Sequence, residues 1–286
     1  KAAVARKKWA DSDPDQRHVE EALNTLDLLV VQDIFLTETA ELADVILPAA
    51  GFAEKHGTFT NTERRVQRVR KAIEPPGHAR EDWHILCDLA SRMGYEMTYP
   101  GAADIQDEIA ALTPIYGGIT YDRLEQGSLQ WPCPDSEHPG TPILHTDKFA
   151  RGLGKFHPVE FAPPKELPDD QYPFVLSTGR MLQHFHTGTM SRRSQVLDDL
   201  VPLGAIEINP QDAQRLGVAD GEPVTVTSRR GEIQIAAQVT DRVAPGETFL
   251  AFHFHEAPAN RLTIAALDPV AKIPEFKVCA VRIEKA

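Results

Sequence analysis

A chain of 286 residues with 42% hydrophobic and 25% charged residues has room for two domains with cores of their own. Its 30 Lys and Arg are outnumbered by 42 Asp and Glu, a formal net charge of -12, which argues against nucleic acid or an anionic membrane as the principal partner. No apolar run approaches the ~20 residues that span a bilayer, and the opening Lys1 to Lys8 lacks the apolar region of a signal peptide. The absence of methionine at position 1 points to a fragment or a processed product. Cys87, Cys133 and Cys279 are odd in number and form no Cys-x-x-Cys pair, so neither a disulfide framework nor a cysteine metal site is expected. A reducing, cytoplasmic setting follows.

In chain order, Leu28-Leu29-Val30-Val31 reads as a buried strand, Glu38 to Leu42 as a short helical crossover and Val45-Ile46-Leu47 as the next strand. Such βαβ units belong to parallel sheets whose ligands bind beyond the carboxyl ends of the strands, where Gln32, Asp33 and Thr37 fall. A helix is predicted from Asp82 to about Met93, with Trp83, Leu86, Ala90 and Met93 on one face and Gly94 as terminator. A second runs from about Ala103 to Leu112. Between Gly117 and Pro173 prolines interrupt every pattern, which predicts an extended connection at 117–171 between an α/β segment, 1–116, and a mainly β segment, 172–286.

In the last segment the period becomes two. Phe174 to Leu176, Ala205 to Ile208, Val224 to Thr227, Ile233 to Val239, Thr248 to Phe254 and Val278 to Ile283 read as six strands. Arg229-Arg230-Gly231 makes a tight hairpin, and Pro210 to Leu216 a helix stopped by Gly217. Six strands with one short helix are most economically a closed barrel.

Polar chemistry concentrates in Ser177-Thr178-Gly179-Arg180, followed by His184, His186, Thr187, Gly188, Thr189 and Arg192-Arg193. As an anion cradle, Gly179 lets the backbone approach a ligand, hydroxyls and imidazoles give short hydrogen bonds, and an arginine fork matches phosphate oxygens. A solvated turn accounts for the same residues. Asp82 alone is read as a helix N-cap, and Asp33 as a turn residue. His253 and His255 alternate, so at most one points at a ligand; His253 is the candidate. Further polar segments are Glu54 to Gln67, Asn260-Arg261-Leu262-Thr263, Ala266 to Pro269 and Pro274-Glu275-Phe276-Lys277.

Together, and with Val30 to Ala40, Ala43 to Pro48 and Asp82-Trp83, these segments resemble in order the C-terminal part of molybdopterin-dependent oxidoreductases of the dimethyl-sulfoxide-reductase family. The similarity is closest to the catalytic subunit of molybdenum or tungsten formate dehydrogenases. It implies an α/β, partial Rossmann-like portion of the oxidoreductase domain followed by a six-stranded double-psi β barrel. It also implies a bis-molybdopterin guanine dinucleotide cofactor with molybdenum or tungsten. Asp33, Thr37 and Asp82 then lie around one guanine dinucleotide, a carboxylate accepting two N–H bonds from the base edge. Gly179, Arg180, His184, His186, Thr187 and Thr189, with His253, face the other pterin and its phosphates. Asn260, Thr263, Phe276 and Lys277 close over it.

The resemblance puts the cysteine or selenocysteine metal ligand, the substrate arginine and the iron–sulfur cysteines in upstream sequence, so no catalytic or metal residue is assigned here. It implies as partners the remainder of the catalytic subunit and iron–sulfur or flavin electron-transfer subunits, with formate as substrate. A nitrate reductase or other oxidoreductase with the same cofactor and a non-catalytic nucleotide-binding or partner-binding barrel are the alternatives. No Gly-x-Gly-x-x-Gly fingerprint is present, so NAD is not placed on this chain.

Overall fold

The computed structural model describes residues 2–5 and 13–286. They form two compact units, Lys1–Ile46 with Phe161–Ala286, and Leu47–Glu160. In chain order the first elements are β1 (Ala2–Ala5), α1 (Gln16–Asn24), β2 (Leu28–Asp33), α2 (Glu38–Glu41) and β3 (Val45–Pro48). The three strands form one sheet in the order β1-β2-β3, with β1 and β2 parallel. Leu29 and Val31 of β2 pack with Leu23 of α1 and Ala40 of α2. The turn into α2 is made by Thr37, whose Oγ1 accepts the Ala40 N–H at 3.3 Å.

The second unit holds β4 (Gly57–Thr60), β5 (Arg65–Val69), α3 (Asp82–Arg92), α4 (Ala102–Leu112), α5 (Tyr121–Gln126) and β6 (Leu129–Gln130). Strands β4-β5-β6 make an antiparallel sheet. In place of a bare connection from residue 117, Ile119, Leu124 and Cys133 share a buried cluster with Val66 of β5. Guanidinium groups, more than strand ladders, satisfy the carbonyls of this proline-rich stretch. Arg64 donates to the carbonyls of Trp131, Thr141 (3.0 Å) and Pro142 (2.9 Å), and Arg123 to those of Gly118 (2.6 Å), Asp135 (3.2 Å) and His138 (2.7 Å). Only from Phe161 does the chain rejoin the first unit, so the compact units divide the sequence differently from boundaries at 116 and 171.

The rest of the first unit is β7 (Phe174–Gly179), α6 (Gln195–Leu200), β8 (Ala205–Ile208), α7 (Pro210–Leu216), β9 (Pro223–Thr227), β10 (Glu232–Val239), β11 (Glu247–Ala251) and β12 (Cys279–Lys285). The six strands close in the order β10-β8-β11-β7-β12-β9. Two neighbouring pairs, β7 with β11 and β8 with β10, are parallel, and the other four are antiparallel. The fold is thus an α/β portion followed by a closed, mixed six-stranded barrel. Period-two residues fill it: Leu176, Ile206, Ile208, Val224, Val226, Leu250, Val281 and Ile283 are all within 1% of complete burial. Helix α7 begins at Asn209, whose side chain accepts the Gln211 N–H, and ends at Gly217 in the left-handed region, φ 66°.

Candidate functional site

Topology brings three separated segments to one end of the barrel. Because β7 and β11 run parallel with Gly179 beside Ala251, the segments that leave them, 180–193 and 252–263, emerge together. Strand β12 runs antiparallel to β7, so the segment entering it, 274–278, meets them there. Between them lies a cavity of about 380 Å³ lined by Arg180, His186, Thr187, Asn260, Phe276 and Lys277, with Asp13, Phe252 and Pro274 completing the wall. A second cavity of about 260 Å³ shares Thr187 and adds Glu38, Gly188, Arg192, Arg193, His253 and His255.

Arg180 is exposed, and its guanidinium stands 5.4 Å from the Phe252 ring centroid. It hydrogen-bonds to none of the described residues, which leaves a whole planar fork for an incoming anion. The His186 ring, edge-on to Phe185 with centroids 4.5 Å apart, is likewise without a hydrogen bond among the described residues. Lys277 donates to the Thr178 carbonyl at 2.6 Å, while the Thr178 hydroxyl donates to the Phe276 carbonyl at 2.6 Å. These two bonds fasten the Phe276-Lys277 wall to the end of β7, and the ammonium keeps two further protons to donate. Gly179 fits here for a steric reason: a Cβ would stand 2.5 Å from the Phe249 ring.

Other residues of the predicted set are engaged inside the protein. His184 is buried, with Nε2 2.8 Å from the Val201 carbonyl and Nδ1 3.3 Å from the Ser191 hydroxyl. His253 is 1% exposed; Nε2 accepts the Met181 N–H at 2.7 Å, and Nδ1 donates to the His186 carbonyl. Burial lowers the pKa of this ring. Its burial does not come from strand alternation, since β11 ends at Ala251 and both His253 and Phe254 are buried beyond it. Thr263, fully buried, donates to the Asn260 carbonyl at 3.1 Å, and Thr189 offers its carbonyl to Arg193 at 2.8 Å.

Asp33, at the end of β2, accepts the N–H groups of Ile34 (2.7 Å) and Phe35 (3.4 Å), and Thr37 is the cap of α2. Sequence reasoning missed what holds this loop: Arg193 donates to the Leu36 carbonyl at 3.0 Å and lies 4.8 Å from the Phe35 ring centroid. Asp82 belongs to the other unit. Glu81 occupies the N-cap of α3, and Asp82, the first residue of the helix, pairs with Lys55 at 2.5 Å. The capping reading of Asp82 is therefore corrected to an ion pair.

Also missed were two ionic supports, one around the half-buried Arg192 and one around the buried Glu166. Arg192 pairs with Asp198 (2.5 Å) and Glu256 (2.9 Å), and its hydrogen bonds hold the Glu256 carboxyl down at about 2 against the opposing effect of burial. Glu166 accepts from both Arg230 nitrogens (2.9 and 2.7 Å), from Arg229 (2.6 Å) and from the Ala280 N–H (3.1 Å). An isolated Glu in a proline-rich stretch carried no sequence signal for this. Among the described residues no group of three or more His, Cys, Asp or Glu is arranged to hold a metal ion, and no helix is long and apolar enough to cross a membrane.

Comparison with known proteins gives this arrangement a family. Residues 174–280 match the Molydopterin dinucleotide binding domain and residues 4–92 match Molybdopterin oxidoreductase. The chain is 56% identical over 278 residues to the F420-dependent formate dehydrogenase subunit alpha of Methanocaldococcus jannaschii, covering 96% of this chain and 41% of the relative. It is 41% identical over 287 residues to the assimilatory nitrate reductase catalytic subunit of Bacillus subtilis, covering 96% and 40%. The chain thus spans about two fifths of the length of these two relatives. Acetylene hydratase from Pelobacter acetylenicus shares the fold, with a TM-score of 0.77 at 19% identity over 100% of this chain and 44% of that one. The chain belongs to the molybdopterin oxidoreductases, and its barrel is a molydopterin dinucleotide binding domain.

Proposed function

We propose that this chain is a cofactor-binding portion of the catalytic subunit of a molybdopterin-dependent formate dehydrogenase, acting in the reversible oxidation of formate to carbon dioxide. The observation that carries the reading is the cavity at the barrel end, whose wall presents the unengaged Arg180 fork, the His186 ring and the Lys277 ammonium. That donor set fits the phosphates of a pterin dinucleotide, and Phe252 and Phe276 offer flat apolar surface to its rings. Identity of 56% to a formate dehydrogenase alpha subunit supports the substrate.

When bound, a bis-molybdopterin guanine dinucleotide with molybdenum or tungsten supplies the two-electron redox chemistry. This chain's residues bind and orient it. Arg180 and Lys277 donate to phosphate oxygens, Asn260 and Thr187 supply short polar contacts, and Phe276, held by Thr178, closes the wall. Gly179, His184, Thr189, His253 and Thr263 shape the same barrel end. On the same reading Asp33, Thr37 and Asp82 serve a guanine dinucleotide. The metal ligand, the residues that meet formate and any iron–sulfur ligands are not assigned to this chain. Partners are the rest of the catalytic subunit and an electron-transfer subunit, in keeping with the alpha-subunit name of the relative. The cytoplasm is the proposed compartment, in keeping with three free thiols, two of them buried.

Nitrate reduction with the same cofactor is the second reading, favoured by the 41% identity to a nitrate reductase. Purifying the protein in its native assembly and measuring pterin and metal content, formate-dependent dye reduction and nitrate consumption separates the two. Full pterin content with nitrate consumed and formate untouched would overturn the formate assignment. An assembly that contains the chain but no pterin would remove both.

A further inference from the structure

The family resemblance placed His253 against the cofactor, but its ring nitrogens are both spent on backbone. Nε2 accepts the N–H of Met181 at 2.7 Å, and Nδ1 donates to the carbonyl of His186. The ring is 1% exposed, so neither bond competes with bulk water. These two backbone groups sit at opposite ends of the 181–186 loop. Met181 directly follows Arg180, and His186 directly precedes Thr187, and Arg180, His186 and Thr187 all line the cavity.

The loop has little freedom to find this position without the ring. His186 itself is in the left-handed region at φ 49°, which a residue other than glycine rarely adopts unaided. Gly188 follows at φ 74°, and a Cβ there would stand 2.7 Å from the carbonyl oxygen of His253, so the loop returns directly against the backbone of the same residue. One imidazole therefore ties both arms of the loop to the segment leaving β11. The tautomer is dictated as well: a ring that accepts at Nε2 and donates at Nδ1 is neutral. Burial disfavours a second proton, against the opposing pull of the His186 carbonyl, and His184, Arg180 and His186 facing the ring add to the effect of burial. Across the adjoining cavity stand Glu38, Arg192, Arg193 and His255.

We propose that His253 is a positioning residue: a neutral imidazole clamp on the backbone of Met181 and His186 that sets where Arg180, His186 and Thr187 meet the dinucleotide, without touching it. The inference rests on the cavity being the dinucleotide site. It differs from a direct-ligand role in what a substitution must do. Glutamine keeps one acceptor and one donor on a side chain of similar reach, whereas leucine keeps the bulk and neither bond.

The test uses the full chain in its native assembly and two readouts, amide exchange at Met181 and pterin dinucleotide per chain, for wild type, H253Q, H253L and R180A. The clamp predicts slow exchange at Met181 in the wild type, at least roughly tenfold faster exchange in H253L with a parallel roughly tenfold weaker hold on the dinucleotide, and most of both restored in H253Q. Fast exchange at Met181 in the wild type overturns the clamp and needs no variant to fold. Equal loss of dinucleotide in H253Q and H253L with Met181 still protected also overturns it, in favour of direct contact. If R180A loses dinucleotide while H253L exchanges fast and keeps it, the clamp falls and the cavity reading stands. Full dinucleotide in R180A as well as H253L removes the cavity reading itself.

Discussion

Replacing Arg180 by alanine separates ligand binding from folding, because the guanidinium has so little to lose within the protein. It is exposed, and the contact that the described residues give it is the Phe252 ring at 5.4 Å. A cation over an aromatic face at an exposed position contributes only about 0.5–1 kcal/mol. Charge-assisted bonds to phosphate oxygens contribute about 1.5–3 kcal/mol, which is about 10- to 150-fold in affinity. Arg180→Ala is therefore expected to lose most of its dinucleotide on dilution while the melting temperature of the cofactor-free form moves little. The cofactor-loaded form should melt lower than wild type, since a ligand that binds only the folded state stabilises it by mass action. Arg180→Lys keeps the charge but not the planar fork and should hold an intermediate amount. The assay is pterin and metal stoichiometry per chain after graded dilution, with melting curves of loaded and cofactor-free protein. Full stoichiometry in Arg180→Ala refutes the phosphate role, and an equal fall in both melting temperatures would make Arg180 a structural residue.

Asp82→Asn removes the charge facing Lys55 at 2.5 Å but leaves the Glu81 cap untouched, so it should cost about 1 kcal/mol in cofactor-free stability. Denaturant unfolding at low and high salt checks this: a loss independent of salt contradicts the ion pair, and undiminished dinucleotide content contradicts the guanine role. Glu166→Ala strands the Arg230 guanidinium, 13% exposed, and the buried Ala280 N–H, which should cost about 3–5 kcal/mol; a loss below about 1 kcal/mol in urea unfolding would show the network to be dispensable. Acid should weaken the barrel in a defined window. Glu256 is held at about 2 by Arg192, against an ordinary 4.5, so its contribution is complete above about pH 4.5 and drains away as pH falls toward 2. Glu166, where the hydrogen bonds of Arg230, Ala280 and Arg229 outweigh the upward push of burial, acts in the same direction. Stability flat from pH 5 to pH 2.5 would contradict both.

The barrel was legible because its strands are amphipathic on a period of two and bounded by turn residues. Val224, Val226, Ile233 and Ile235 bury as alternation requires, and the Arg229-Arg230-Gly231 turn joins β9 to β10. The segment 117–142 was not legible, because much of its order comes from guanidinium-to-carbonyl bonds with no periodic trace. Arg64, itself at φ 65°, reaches carbonyls 67 to 78 residues away, and Arg123 ties together the turns at Gly118, Asp135 and His138. A proline-rich stretch looks unstructured when the groups that satisfy its backbone are side chains.

The candidate site shows the same limit one level finer. Of the residues that the family resemblance set around the cofactor, Arg180, His186, Thr187, Asn260, Phe276 and Lys277 line one cavity. His184, His253 and Thr263 lie just behind that surface with their polar atoms bonded to backbone or hydroxyl partners. Residue type cannot separate the two groups, because an imidazole that receives a ligand and one that braces a loop offer the same atoms. What separates the exposed His186 from His253, 1% exposed, is burial together with the register at which β11 ends. A strand running through Phe254 would have kept His253 and Phe254 on opposite faces. By stopping at Ala251 the strand releases a turn that buries both, and this turn carries the His253 ring to the two backbone groups of the 181–186 loop. On the proposed reading, the residues that recognise the dinucleotide are placed by others whose sequence signature is the same as their own.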